Sequence, residues 1–435
     1  MLIVDIVKSL NKMLGLFNPQ LAPHLAQVTY LSKKIGEHLG LSPQAMQDLV
    51  IASSIHDIGL LSLSQKESYL LLEESFPATH SLTVFLLFNN IPFFHQPSKI
   101  VKYHHANYDR RGIHSFQNNF DDGSIPLESY IIRLADRLAV HINPLQPILE
   151  QVEDVYRYIE VSKDLYHPEV LDVFNSVIKK QDYLWLELVT IPPDLMLEKI
   201  LLESMSRVPE KNIFSEIAEI IGYLIDFKSQ FTASHSYCVA EISSWLFHSG
   251  KFPVEEPCDI IREAGFLHDI GKLAIPIEIL EKPGQLNSKE WNIMRAHVYY
   301  SHIALETMYK EYPCLRYTPY HHEKLDGSGY PFGLKGEDIP VIARIIAVSD
   351  VFTAITENRP YRGELTESEV VKIMKPMAVS KKLDEDIVNY VLAHFKEAKE
   401  RRDEAESLAR HVYNGFREDI RKYYENELKS KRISV

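Results

Sequence analysis

The sequence predicts an almost wholly α-helical protein built as two tandem helical bundles. Apolar residues recur at helical spacing along most of the chain. No stretch alternates apolar and polar residues as a half-buried strand would, and no hairpin signal is present. A set of histidines and aspartates also occurs twice, in the same order, about half a chain apart.

The elements follow in order. Ile3, Val4, Val7, Leu10 and Leu14 form one apolar stripe, and Leu25, Val28, Leu31, Ile35 and Leu39 the next, closed by Gly40. Ser64 with Glu67 reads as a capping box opening a helix through Tyr69 to Leu72. Thr190-Ile191-Pro192-Pro193-Asp194 marks the best boundary, since two prolines cannot continue a helix. Asp194 is placed to cap a connecting helix from Leu195 to Ser204. Helices are then expected over Ser215–Phe227, Thr232–His248 and Cys258–Ile270, and from the Asn287/Glu290 cap to about Tyr309. The expected organisation is residues 1–190, a connector at 191–205, a second bundle at 206–399 and a charged amphipathic helix at 400–435. That last helix is expected to pack on the second bundle; a homodimer contact is the alternative.

Composition sets limits. The chain has 435 residues, 45% hydrophobic and 25% charged, ordinary for a globular protein. Its net charge of −13 opposes binding to long nucleic acid or an anionic membrane surface. The segment MLIVDIVKSLNKMLGLF is not a signal peptide, because Asp5 and Lys8 break the apolar run. No apolar stretch is long enough for membrane insertion. Cys238, Cys258 and Cys314 show no paired spacing and read as buried or incidental thiols in a reducing compartment, so a cytoplasmic location is expected.

The repeat carries the chemistry. His24, His56-Asp57, His80, His104-His105 and Asp136 recur as His235, His268-Asp269, His297, His321-His322 and Asp350. The offsets run only from 211 to 217 residues. Five imidazoles and two carboxylates exceed what one tetrahedral ion needs and suit two ions sharing a carboxylate. Asp269 is the natural bridge, because its two oxygens can each reach one ion, and His268 beside it places a nitrogen on the first. Mixed nitrogen and oxygen donors favour Fe, Mn or Zn over Mg or Ca.

The second half contains HDIGK, HHEKLDGSGYP and SDVFTAITENRPYR, in that order, with His235 and His297 at fitting separations. It resembles the HD-GYP family, bacterial phosphodiesterases of cyclic di-GMP within the HD metal-dependent phosphohydrolases. The resemblance implies a signalling enzyme that cuts cyclic di-GMP to linear pGpG, and to GMP after a second cut, by attack of a metal-bridged hydroxide. It implies two divalent transition-metal ions, often iron. His235, His268 and Asp350 would serve the first and His297, His321 and His322 the second, with Asp269 between. It implies phosphate or base contacts from Lys272, Tyr330, Arg359 and Arg362, with Lys272 sharing the catalytic work. Gly327 and Gly329 would serve backbone geometry, and Glu323 and Arg344 structural or ligand-supporting contacts. Some relatives add a third ion through a carboxylate four residues before the first histidine; Phe231 stands there, so two ions are expected. Thr353 and Val298 depart from the family's usual Asp and Pro without touching a ligand position.

The first half keeps every ligand type but has Leu60 in place of Lys272 and ANYDRRG in place of EKLDGSGYP. It reads as a degenerate HD domain that is either regulatory or a second metal site at His24, His56, Asp57, His80, His104, His105 and Asp136, with dimerisation or hydrolysis of another phosphate ester as the other roles left open. The rivals are hydrolysis of cyclic GMP-AMP or another nucleotide, and a non-enzymatic module that responds to a cyclic dinucleotide.

Overall fold

The computed structural model describes residues 2–62, 78–108, 125–143, 145–206, 213–228, 234–254, 256–357 and 363–433. The proposed cap at Ser64, with the helix to Leu72, Phe231, Arg359 and Arg362 lie outside the described residues. Every regular element among the described residues is helical. The first half holds α1 (Leu2–Phe17), α2 (Leu21–His38), α3 (Pro43–Ile55), α4 (Ala78–Phe88), α5 (His95–Lys102), α6 (Leu127–Val140), α7 (Ile148–Val161), α8 (Pro168–Ser176), α9 (Asp182–Thr190) and α10 (Pro193–Ser204). The second holds α11 (Ile213–Lys228), α12 (His235–Gly250), α13 (Ile261–Leu267), α14 (Ile277–Leu280), α15 (Ser288–Met294), α16 (His297–Leu305), α17 (Val341–Thr356), α18 (Glu367–Val379), α19 (Glu385–Ala393) and α20 (Phe395–Ile433).

The stripe on α1 is buried through Ile3, Val7, Leu10 and Leu14. It faces both halves: α1 packs on α2 and α10, and also on α16. Lys12 pairs with Glu306 at 2.5 Å, and the Thr307 hydroxyl donates to the Asp5 carbonyl at 3.1 Å. The connecting helix α10 starts one residue before Asp194, with Pro193 at its first turn, and Asp194 makes no cap. A proline needs no N–H partner there, so it takes the position. α10 lies against α2 and α3 and buries Met196, Leu197, Ile200 and Leu201. One continuous apolar core therefore runs from Ile3 to Ala409 through both bundles.

The sequence expectation of one helix from Asn287 to Tyr309 needs correction. The capping box at Asn287 and Glu290 is present, but α15 ends at Met294 and α16 starts at His297. The break lets His297 begin a helix whose start faces the cluster. The thiol reading is also corrected: Cys258 and Cys314 form a disulfide, and only Cys238 is free, and buried. The partners are 56 residues apart in sequence, so no local spacing could announce them. The bond joins the segment before α13 to the 3₁₀ segment Pro313–Tyr320 that leads into His321.

α20 begins at Phe395, five residues earlier than expected, and packs on α12. Ala398, Ala405 and Ala409 are buried against the bundle. Arg402 is buried with them and pairs with Glu364 at 2.7 Å and Glu406 at 2.6 Å. Farther along, Phe416 meets Phe227, and Tyr423 and Ile420 reach Leu82 of the first half. Small residues at this seam let the helix approach closely, so Ala409→Phe would overpack it. The expected loss is about 1–3 kcal/mol, read as a lower urea midpoint; an unchanged midpoint would show that the strap does not bear on stability.

Candidate metal centres

Three of the five second-half histidines are aimed by their own backbone. The Nδ1–H of His268 donates to the Gly265 carbonyl at 2.7 Å, that of His297 to Met294 at 2.6 Å and that of His321 to Thr318 at 2.8 Å. Each bond reaches three residues back, fixes the tautomer and leaves the Nε2 lone pair pointing inward. Those three Nε2 atoms, and Oδ1 of Asp269, are buried without a hydrogen-bond partner. Such orphaned acceptors are costly in a folded protein. A cation held among them would satisfy all four, so the residues fit a metal.

Two donor groups surround Asp269. His235, His268 and Asp350 bring ligand atoms within 4.8 Å of one another, as do His297, His321 and His322. Asp269 lies between them: Oδ2 is 3.0 Å from His268, while Oδ1 is 3.2 Å from His297 and 3.8 Å from His321. All seven predicted ligands are thus brought together in one cluster around Asp269. The close seating of this segment requires Gly271, where a Cβ would lie 1.9 Å from the His297 carbonyl oxygen.

Asp269, His321 and His322 are held in the states that ligation needs, and His235 is not. Burial works against ionised Asp269, but His268 and Lys272 outweigh it and hold the carboxyl well below its usual range. Burial and the neighbouring His268 push His321 down to about 3, and burial with His321 pushes His322 well below normal. Both rings are neutral and ready to donate. His235 behaves differently. Burial would lower it, yet Glu357 and then Asp350 raise it to about 10. Its Nδ1 donates to Glu357 at 3.1 Å and its Nε2 to Asp350 at 3.1 Å.

Glu357 was not singled out from the sequence. It sits 122 residues from His235, on no recognisable spacing, and is 4% exposed. Asp226 accepts from the Ser236 amide and hydroxyl, and burial lifts its carboxyl to about 8. It therefore supports the start of α12, next to His235.

The remaining predicted residues divide. Lys272 forms an ion pair with Asp269 and is held charged: burial would lower it, but Asp269 raises it. The Tyr330 ring stacks on His322 at 5.1 Å. Glu323 accepts the amides of Phe332 at 2.7 Å and Leu334 at 3.0 Å, clamping the loop after Tyr330. Gly327 takes φ +82°, and a Cβ on Gly329 would meet Glu323 at 2.5 Å. Arg344 pairs with Asp384 and Glu337 and bonds the Ile339 carbonyl, away from the donor groups.

The first half builds the same arrangement. His56 Nδ1 donates to the Ser53 carbonyl at 2.8 Å and His104 Nδ1 to Val101 at 2.7 Å. His24, His56 and Asp57 form one donor group; His80, His104 and His105 form the other. Asp57 Oδ1 lies 3.4 Å from His80 and Oδ2 3.4 Å from His56, and Asp136 lies 3.2 Å from His24. A Cβ on Gly59 would meet the His80 carbonyl oxygen at 2.2 Å, matching Gly271. Two differences stand out. Arg137 bonds Asp136 from the next position at 2.7 Å, and Leu60 occupies the place of Lys272.

A family model described as HD domain matches residues 8–154 and again 241–387. The chain belongs to the HD domain family. As an HD protein with two tandem domains, it has a fold for which divalent metal binding is the rule, and both donor clusters fall on that fold. Among curated proteins, the 3′3′-cGAMP-specific phosphodiesterase 1 of Vibrio cholerae is 28% identical over 85% of this chain and 86% of its own length. The cyclic di-GMP phosphodiesterase response regulator RpfG of Xanthomonas campestris is 40% identical over 40% of this chain and 45% of its own length. Among solved structures, a cyclic GMP-AMP-specific phosphodiesterase of V. cholerae superposes with a TM-score of 0.58 at 20% identity, covering 90% of this chain and 97% of that one. That likeness is one of fold. Among the described residues, no helix of this HD protein is long and apolar enough to cross a membrane.

A cation at the His235 nitrogen must displace its proton. Metal loading near pH 7.5 is therefore expected to release a proton, and affinity to rise as pH climbs toward 10. Glu357→Gln should reduce the release. Calorimetric titration in two buffers of different ionisation heat measures it; release independent of Glu357 would contradict the assignment.

Proposed function

We propose that the second domain hydrolyses a cyclic dinucleotide and that the first domain holds metal without hydrolysing one. The observation that carries this reading is a seven-donor cluster around Asp269 that also presents a charged lysine and a partly open edge. His322 and Asp350 are partly exposed, whereas the first-domain donors are more deeply buried, His24 and His105 least so at 8% each. A diester must reach its metals, so the open cluster suits substrate and the closed one suits structure or regulation.

A divalent pair, when bound, supplies positive charge to the phosphoryl oxygens and an activated water. The chain does the rest. Asp269 stays ionised between the two donor groups, and His268, His297 and His321 are held rigidly by their backbone bonds. Lys272, three residues on from Asp269, offers its ammonium to a non-bridging phosphoryl oxygen as charge builds there. Tyr330, stacked on His322, offers a hydroxyl or ring face at the rim. Arg359 and Arg362 are assigned to substrate phosphate by the RPYR motif alone. A ribose 3′ oxygen would leave, giving a linear dinucleotide. Iron or manganese is the preferred ion pair, with zinc the third choice.

Cyclic di-GMP is the substrate implied by the motifs. The relative aligned over both domains acts on 3′3′-cGAMP, and that match favours the mixed dinucleotide as a second reading. A panel of both cyclic dinucleotides, with nucleoside triphosphates as controls, separates these from a nucleotidase. Asp269→Ala is expected to lose two metal ions and about 10²–10³-fold in turnover, on the order of the loss of a central electrostatic group. Asp57→Ala is expected to lose first-domain metal and keep turnover. The reverse pattern would exchange the roles of the two domains.

A further inference from the structure

The surface beside Tyr330 carries an unusual feature. Trp185 and Trp245 are 1% and 4% exposed, as large apolar rings normally are, but Trp291 is 46% exposed. It stands on α15, a seven-residue helix with no buried residue. Such a helix has little apolar burial to hold it. It is instead held by polar contacts: Asn287 accepts the amides of Lys289 and Glu290, Glu290 returns the bond to the Asn287 amide at 2.8 Å, and Lys282 pairs with Glu290 at 2.5 Å. The indole is thus fixed in place while remaining open to solvent.

Its neighbours lead to the metal ligands. The Trp291 and Tyr330 rings lie 6.0 Å apart, edge to face, and Tyr330 stacks on His322. Phe332, 40% exposed, and Tyr299, 48% exposed, form a separate ring pair 6.3 Å apart. Two ring-to-ring steps, of 5.1 and 6.0 Å, therefore separate a metal ligand from an open indole. A flat, accessible π face is what base binding requires, and stacking tolerates any purine.

Building on the proposed function, we infer that Trp291 is the platform on which one purine base of the cyclic dinucleotide stacks while its phosphate lies on the second domain's ligands. It is a binding residue that leaves the choice between guanine and adenine to other groups.

The test uses the full-length, metal-loaded protein with Trp291→Ala and Trp291→Phe. Against cyclic di-GMP and 3′3′-cGAMP, Trp291→Ala is expected to raise KM about tenfold, the loss of one base–aromatic stack, with kcat within about twofold. Trp291→Phe should recover most of the affinity. Hydrolysis of methyl 4-nitrophenyl phosphate, too short to span from the ligands to the indole, should be unchanged in both. Because the other two tryptophans are buried, quenching of intrinsic fluorescence by either dinucleotide should vanish in Trp291→Ala. An unaltered KM in a variant that still hydrolyses the short diester overturns the inference and leaves the proposed function standing. A wild type that is quenched by both dinucleotides but cleaves neither sinks the proposed function and leaves the platform in place.

Discussion

The structure depends on a bond made inside the chain: a histidine Nδ1–H donating to the carbonyl three residues before it. His268, His297 and His321 each make it, and His56 and His104 repeat it in the first domain. A neutral imidazole has one donor and one acceptor, so spending the donor on the backbone decides where the acceptor points. The result is a buried set of nitrogen lone pairs, of which those of His56, His268, His297 and His321 have no hydrogen-bond partner. That is an expensive arrangement for a metal-free core and an ordinary one for a ligand shell. Gly59 and Gly271 belong to the same device, since each lets the HD segment close onto the helix bearing the next histidine.

The two domains are joined more closely than a tandem repeat requires. α1 lies on both, α11 touches the first domain's 3₁₀ segment Ile58–Ser62, and that segment contacts its counterpart Ile270–Ala274. Lys228 is buried at this junction, where its ammonium bonds the Leu273 carbonyl and lies over the Phe17 ring. Burial lowers it to about 7. The segments that follow the two HD pairs are therefore neighbours.

Much of this was legible in the sequence because the decisive residues lie on short motifs. HDIGK, the HH pairs and their common offset place fourteen donors in two clusters, and the structure brings each set together. The legible helices are those with clear stripes, such as α1, α2 and α11. What escaped depends on contacts between distant residues. Glu357 orients His235 across 122 positions, and Cys258 finds Cys314 across 56. The break at Arg295 and Ala296 has no proline or glycine to announce it; the site's geometry, not local propensity, decides it. Trp291 lies inside the helix expected from Asn287 and carries no motif of its own, so only its exposure reveals it.

The central claim is that seven second-domain side chains hold two ions with Asp269 between them. Anomalous diffraction from metal-loaded crystals measures this most directly. The account predicts two peaks in the second domain about 3.5–4 Å apart, one beside His235, His268 and Asp350 and the other beside His297, His321 and His322, each within bonding distance of an Asp269 oxygen. A single peak, or two that do not share Asp269, would contradict it.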